Sequence, residues 1–514
     1  MYYPGDRGPF LLPRRAGTGL PGVVFLFPWS YPEGRMKDPD ILHDPPASVL
    51  VRLLLPMLAG ALGIVLFNMV DTFFVGRLGA LELAAMSYTF PVVIVAGSIA
   101  SGLGVGASAC VSRAAGAGDL SLARRLTYHA HLLALAVVVV LAGAGLLTID
   151  PFFALLGAEE HLIGYIRDYI SVWYLGMPFM MLPMVGQNIL QALGDSKTPG
   201  AVIVFSVVLN MFLDPLLIFG AGPVPGLGIG GAAIATVISR GSTMVIVLWV
   251  LARSRKMVPH RNELSGVLVS SRSILFVGIP AALTNLALPI SMGVVTRLVS
   301  RFGAEAIAGF GVATRLESFS LVFTMALAMV FTPFVGQNLG AGKVHRAREG
   351  YRVAVVISLL WGVVVALVFG GGGRPVAEVF NSTEAVVAAT TAYLQILAPS
   401  FGLLGVVMVT SAAFNGLQRP FAAAAVAFMR LVGLYLPLAL VGRSLGGLQG
   451  LFLGLAWANG IAGVLAILIF RRASRGFVAT EEDTKENTEE DTQGNAQNGT
   501  GAEGPSGEKI FCST

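Results

Sequence analysis

The sequence predicts an all-α membrane protein with twelve transmembrane helices. Of its 514 residues, 55% are hydrophobic and only 12% are charged, which is about half the charged fraction of a soluble domain. This composition excludes an ordinary soluble enzyme and a mainly disordered chain. Two cysteines exclude a disulfide scaffold and a zinc or iron–sulfur site built on cysteine. Runs of roughly 20 apolar residues, separated by short polar loops, leave a polytopic membrane protein as the remaining class.

The twelve predicted helices follow one another without room for a separate soluble domain. Their centres lie near Ala61, Val95, Ala136, Met177, Val208, Ser239, Leu286, Met325, Val363, Leu404, Phe428 and Leu455. Loops after even-numbered helices carry fourteen Lys and Arg residues, and loops after odd-numbered helices carry five. Because positive loop charge marks the cytoplasmic side, we expect both termini in the cytoplasm.

An internal repeat divides these helices into two homologous six-helix lobes. Pro56 and Pro280 are 224 residues apart, and the same separation aligns the Gly-Ala-Gly strings at 116–118 and 340–342. Six helices per half give both lobes the same orientation in the membrane. Parallel repeats of this kind are typical of transporters that bind substrate between the repeats. A duplication that only enlarges a helical bundle is the structural alternative.

The domain limits follow from the same patterns. The prediction is an N-terminal extension rich in Pro, Gly and Arg, two helical lobes joined by a basic cytoplasmic linker, and an acidic tail. The limits are 1–46 for the extension, 47–257 for the first lobe, 258–272 for the linker, 273–472 for the second lobe and 473–514 for the tail. The extension and the tail are predicted to be disordered, because both lack enough apolar residues to fold.

Two carboxylates inside predicted helices of the first lobe are candidate ion-binding residues. Asp71 lies in helix 1, and Asp214 lies in helix 5 on the same helix face as Asn210. Ionisable groups in the bilayer are costly and are kept mainly where they act or pair. The repeat places Val295 and Leu436 at the corresponding positions of the second half, so the fold itself does not require these acids. Carboxylates beside an amide suit a proton or Na⁺. The alternative without a function is that Asp71 and Asp214 each lie near a membrane interface.

The second lobe has its own polar residues at helix depth. Glu317, with Arg315 nearby, falls near the start of helix 8, and Arg430 falls well inside helix 11. A Glu317–Arg430 pair inside the membrane would neutralise both groups. Such a pair is either purely structural or a cavity-lining coupling element. Asn285 in helix 7 is a further candidate for the cavity, although most amides at this depth link helices.

Other patterns argue against catalysis and against a bound cofactor. The glycine clusters at 102–106 and 226–230 lack the strand and helix of a nucleotide-binding unit and indicate helix packing. Six scattered His residues show no metal-ligand spacing. We therefore expect no enzyme activity, no cofactor, no nucleotide and no nucleic-acid partner, and no metal except Na⁺ at Asp71, Asn210 and Asp214. The expected partners of a monomeric chain are small organic substrates and the lipid bilayer.

The strings around these residues resemble the multidrug and toxic compound extrusion (MATE) transporters over about 47 to 472. The resemblance rests on Asp-Thr-Phe-Phe-Val-Gly at 71–76, Gln-Ala-Leu-Gly-Asp-Ser-Lys-Thr-Pro at 191–199, the Asn…Asp-Pro string at 210–215, and Val-Gly-Gln-Asn-Leu-Gly-Ala-Gly at 335–342. The chain is most similar to the DinF-like branch, in which a first-lobe site couples cation movement to export. The acids that the NorM-like branch carries in helices 7 and 10 are not matched, since helix 7 offers Asn285 and helix 10 has no carboxylate.

This resemblance implies a function and further site residues. It implies that Asp71, Asn210, Asp214 and Thr236 take the coupling ion, and that helix 1 bends at or near Pro56. The predicted function is a multidrug exporter of the cell membrane that exchanges inward H⁺ or Na⁺ for an outward cationic or amphiphilic organic compound. The first alternative is a flippase of a related scaffold for lipid-linked precursors or polysaccharides, which would present more charge in its cavity. The second is a channel or a membrane receptor.

Overall fold

A computed structural model describes residues 40–498 except 221, 224, 254, 256 and 258–264, all in the unit that begins at Pro39. Every regular element among these residues is a helix. Eleven helical stretches of the described part are long and apolar enough to cross a membrane. The last of them is broken at Gly446 and Gly447, whose backbone angles are not helical, and so provides two spans. The prediction of twelve apolar helices is confirmed.

The first six long helices form the first lobe. They are α1 (Pro46–Gly76), α2 (Ala80–Gly116), α3 (Leu120–Leu147), α4 (Glu160–Ala192), α5 (Lys197–Phe219) and α6 (Gly228–Arg253). A short helix, Ile149–Leu155, connects α3 to α4.

The second lobe repeats this order with local irregularities. Its first four helices are α7 (Val267–Val299), α8 (Ala304–Gly340), α9 (Val344–Phe380) and α10 (Glu384–Gly416), the last with a 3₁₀ turn at Ala398–Ser400. Helix α11 begins at Pro420, contains the π-helical segment Met429–Tyr435 and ends before Gly446. Helix α12 follows Gly447 and runs to Asn498.

Parts of the predicted extension, linker and tail, namely 1–39, 258–264 and 499–514, lie outside the described residues. Helix α7 begins at Val267, inside the segment predicted as the linker. The backbone of α12 is helical to Asn498, which differs from the disorder predicted for the tail. Five glutamates lie between 481 and 490, and glutamate is a good helix former, which favours continuation of α12 beyond its apolar span. The domain limits and the cytoplasmic location of the termini stay predictions.

The repeated Gly-Ala-Gly strings form equivalent turns after α2 and α8. Gly118 and Gly342 have φ angles of 78° and 69°, a left-handed conformation that glycine adopts without strain. In the first lobe, Asp119 then caps α3, because its Oδ1 accepts a hydrogen bond from the Leu122 N–H at 2.9 Å. This hydrogen bond holds the pKa of the Asp119 carboxyl below its usual value.

The two lobes contact each other through close approaches of small residues. Gly102 and Gly106 of α2 lie against the α7 backbone at Gly278 and Ile274, where any Cβ would clash. Because glycine has no side chain, two helices can approach each other closely at such positions within a membrane. The start of α1 similarly shares one apolar cluster with the second half of α8.

A second set of contacts closes the lobes at their inner ends, the ends predicted to face the cytoplasm. Gly116 lies against the backbone of Gln337, and Gly340 lies against the backbone of Arg113. The 224-residue repeat relates Gly116 to Gly340 and Arg113 to Gln337, so the two contacts are equivalent about a pseudo-twofold axis. Arg113 Nη1 also donates a hydrogen bond to Gln418 Oε1 at 2.6 Å. The structure therefore has its two lobes packed together at the inner side.

Candidate ion-coupling site in the first lobe

The predicted first-lobe residues are buried inside the lobe. Asp214 and Asn210 of α5 are fully buried, and Asp71 of α1 is 6% exposed. Asn210 Nδ2 donates to Asp214 Oδ1 at 2.9 Å, as their four-residue spacing predicts. The Asp71 and Asp214 carboxyl groups lie within electrostatic range of each other. The structure thus brings the two acids and the amide into one neighbourhood.

Three oxygen atoms of this neighbourhood are enclosed and have no hydrogen-bond partner among the described residues. They are Asp71 Oδ1, Asn210 Oδ1 and Asp214 Oδ2. Leaving buried polar atoms unsatisfied costs free energy, and two buried carboxylates disfavour being ionised together. The oxygens are therefore suited to a proton on a carboxyl group or to a hard monovalent cation.

Thr236 and Pro56, which the resemblance implies, have less direct links to these atoms. Thr236 is buried on α6, which packs along α5, but its side chain makes no hydrogen bond to a described residue. Pro56 lies in α1, which is continuous from Pro46 to Gly76. Its carbonyl packs against Gly200 of α5. A proline removes one helical hydrogen bond and permits bending, so the bending of α1 stays a prediction.

Tyr169 of α4 is a residue of this neighbourhood that the sequence reasoning missed. It is buried and lies within electrostatic range of both Asp71 and Asp214. The repeat contained a signal for it, because Tyr169 and Tyr393 are 224 residues apart. A tyrosine that follows the exposed pair Arg167–Asp168 resembles a residue of the helix end, and only the fold places its ring near two buried carboxyl groups.

The second lobe contains a separate polar network around the equivalent tyrosine. Tyr393 of α10 donates a very short hydrogen bond to Glu317 Oε2 of α8. Arg430 Nη1 of α11 donates to Asn459 Oδ1 at 3.0 Å, and Asn459 Nδ2 of α12 donates to Ser400 Oγ at 3.2 Å. Glu317 and Arg430 lie within electrostatic range, but each has another direct partner. The predicted pair is therefore a four-helix network rather than an isolated ion pair.

Asn285, the remaining candidate, lies at the contact between the lobes. Its Nδ2 donates to Ser101 Oγ of α2 at 3.1 Å, and this hydrogen bond is exposed. The amide therefore bridges α2 and α7 and is not part of the Glu317 network.

Replacing Arg430 is expected to destabilise the second lobe. Arg430→Met removes the charged hydrogen bond to Asn459 and the cation within electrostatic range of Glu317, and losing a hydrogen bond of a charged group costs about 1.5–3 kcal/mol. We expect a clearly lower melting temperature of the detergent-solubilised protein. Adding Glu317→Gln to Arg430→Met should recover much of the loss, whereas Arg315→Met, at an exposed neighbour on α8, should change little. Equal melting of the Arg430→Met variant and the wild type would contradict this account.

Comparison with known proteins agrees with this arrangement. The family model described as MatE matches residues 56–216 and 280–441, so its two matches begin at the prolines that the repeat aligns. The "FAD transporter" of Shewanella oneidensis is 35% identical over 87% of this chain and 100% of its own length. The "Multidrug export protein MepA" of Staphylococcus aureus is 26% identical over 84% of this chain and 96% of its own.

A solved structure supports the same conclusion. The Vibrio cholerae MATE transporter VcmN, described as in the bent form, has a TM-score of 0.80 and 32% sequence identity, covering 84% of this chain and 98% of that one. The twelve apolar helices, the repeated halves and these matches agree along the chain from α1 into α11. The chain therefore belongs to the MATE family of transporters and is a multi-pass protein of the cell membrane.

Proposed function

We propose that this chain is a secondary-active exporter that exchanges inward H⁺ or Na⁺ for an outward organic compound. One observation carries the proposal, namely two buried carboxylates, Asp71 and Asp214, on different helices of one lobe with unpaired oxygens. Buried acids without a basic partner favour uptake of a cation. Such a site changes its charge with each ion bound, which is what ion coupling requires.

In the proposed cycle, ion binding and substrate binding favour opposite states of the two lobes. The inner contacts at Gly116 and Gly340 hold the lobes together on the predicted cytoplasmic side, which corresponds to a state open to the outside. Neutralising Asp71 and Asp214 removes the cost of burying charge around α1 and α5. The ion thereby shifts the equilibrium between the two states, and the size of the shift is its difference in affinity for them.

The proposed substrates are amphiphilic organic compounds carried by a monomer. Two groups of relatives suggest different cargo, since one is named a multidrug export protein and the other a FAD transporter. The first name supports the expected cationic or amphiphilic drugs. The second makes a flavin nucleotide a second candidate cargo, although the sequence predicts no nucleotide partner. Neither name supports the flippase alternative.

The direct test is export from proteoliposomes of purified protein with one ion gradient imposed at a time. The H⁺ gradient and the Na⁺ gradient are imposed in separate experiments, each with the membrane potential clamped. We expect one of these gradients to make a substrate accumulate against its own concentration gradient. Dissipating the gradient with an ionophore is the control and should stop accumulation. Downhill flux that neither gradient can turn uphill would contradict the proposal and favour a channel.

A further inference from the structure

Arg240 is a cation inside the first lobe that the coupling site does not use. It lies on α6 about midway between Gly228 and Arg253, so each helix end is roughly 18–20 Å away at 1.5 Å per residue. An arginine side chain is too short to reach either membrane surface from this depth. The fold therefore holds a guanidinium at a level where an isolated charge is costly.

No acidic side chain of the described residues pairs with Arg240. Its guanidinium carbon lies 4.8 Å from the centre of the Phe67 ring of α1. Its Nε is enclosed without a hydrogen bond, and the side chain forms no ion pair or hydrogen bond with any described residue. Phe67 precedes Asp71 by one helical turn, but the two acids of the coupling site do not pair with Arg240.

A purely structural role does not explain this arrangement. Structural arginines inside membrane proteins are paired with acids or carbonyl groups, as Arg430 is with Asn459. The contact with Phe67 orients the guanidinium through a cation–π interaction but satisfies none of its five N–H donors. The donors therefore remain available for an acceptor that the protein itself does not supply.

We propose that Arg240 binds an anionic group, a phosphate or a carboxylate, of an aromatic organic substrate inside the first lobe. The inference rests on the proposed export function and adds a substrate class to it. The planar fork of a guanidinium matches the oxygens of phosphate and carboxylate, and Phe67 fixes its plane. The depth of Arg240 in α6 separates it from lipid headgroups, so a substrate rather than a bilayer lipid supplies the anion.

Two probes that share one ring system and differ by a phosphate test this proposal. Riboflavin is uncharged, and flavin mononucleotide is the same molecule with a terminal phosphate. Binding of each to the detergent-solubilised protein is measured by quenching of flavin fluorescence. We expect the wild type to bind flavin mononucleotide at least about tenfold more tightly, the size of one hydrogen bond between charged groups. Millimolar inorganic pyrophosphate should displace flavin mononucleotide and leave bound riboflavin in place.

The variants separate recognition from folding. Arg240→Gln should weaken flavin mononucleotide binding about tenfold and leave riboflavin binding unchanged, and Arg240→Lys should lie between the two. Arg297→Gln, at an exposed arginine of α7, is the matched control and should behave as wild type. Equal weakening of both probes by Arg240→Gln, or no preference of the wild type for the phosphate, would overturn the proposal.

Failure of this inference is distinguishable from failure of the exporter proposal. If Arg240→Gln loses the phosphate preference but still drives riboflavin uphill, the inference holds together with the exporter function. If the wild type drives riboflavin uphill without any phosphate preference, only the inference fails. If the wild type binds both probes with the expected preference but drives neither, the exporter proposal fails. If Arg240→Gln does not fold, the wild-type preference and the pyrophosphate competition still decide.

Discussion

Asp71→Asn is expected to abolish ion-driven export, with a loss of at least about a hundredfold, while the protein still inserts into the membrane. An asparagine has nearly the same shape as a protonated aspartate, so packing around α1 is preserved. It cannot release or bind a proton, and its neutral oxygen is a weak ligand for Na⁺. The variant therefore stays in the ion-occupied state and the cycle stops. Uphill accumulation of a substrate in proteoliposomes measures the loss.

The matched control for this experiment is Asp168→Asn. Asp168 is an exposed aspartate of α4 that directly precedes Tyr169, so the same chemical change is made next to the site but outside it. We expect wild-type accumulation for this variant. Binding of substrate without coupling should survive in Asp71→Asn, because the substitution keeps the size of the side chain and leaves Arg240 and Phe67 unchanged. Wild-type uphill export by Asp71→Asn would contradict the assignment of Asp71 to the coupling site.

The twelve helices were predictable because a bilayer requires long apolar runs whatever their tertiary contacts. The lobes were predictable for a similar reason, since turns such as those at Gly118 and Gly342 must keep glycine in both copies. The pairing of Asn210 with Asp214 followed from helical spacing alone. These features depend on local geometry or on the membrane, and one sequence contains both kinds of information.

The residues that sequence reasoning missed have partners that only the packing selects. Tyr169 directly follows Arg167 and Asp168, whereas its neighbours Asp71 and Asp214 come from two other helices. Glu317 was expected beside Arg430, but its direct hydrogen bond comes from Tyr393 of a third helix. The surroundings of Arg240 also depend on packing, because the ring against its guanidinium, Phe67, comes from another helix.

The two lobes have the same helix arrangement but different buried residues at equivalent positions. Asp71 of the first lobe corresponds to Val295, which belongs to an apolar cluster of the second lobe. Tyr169 and Tyr393 occupy the same position of the repeat, but the first lies near two carboxylates and the second binds a glutamate within reach of an arginine. The acids of the first lobe form no ion pair with a described basic residue, whereas Glu317 of the second lobe lies within electrostatic range of Arg430. This difference is consistent with ion coupling in the first lobe only.

Gly116→Ala is expected to prevent closure of the lobes at the inner side. The added methyl group would overlap the backbone at Gln337, and Gly340→Ala would overlap the backbone at Arg113 in the same way. Backbone cannot move aside as a flexible side chain does, so the lobes must separate. Because alanine favours a helix over glycine by about 1 kcal/mol, a loss of function cannot be attributed to weaker helices. We expect at least a tenfold loss of uphill export for each variant.

The native Cys110 reports on this separation directly. It is buried on α2, with its Sγ 3.8 Å from Nε2 of Gln418 across the lobe contact, and Cys512→Ser makes it the only cysteine of the chain. In that background, a membrane-impermeant maleimide applied to the cytoplasmic side should label Cys110 faster in Gly116→Ala than in the wild type. Gly311→Ala is the control, because a methyl group at this glycine of α8 meets no atom within 4 Å, and it should change neither labelling nor export.

Since the pseudo-twofold axis makes the Gly116 and Gly340 contacts equivalent, both variants must share one phenotype. A variant pair in which only one side opens the lobes would show that the inner closure is not symmetric.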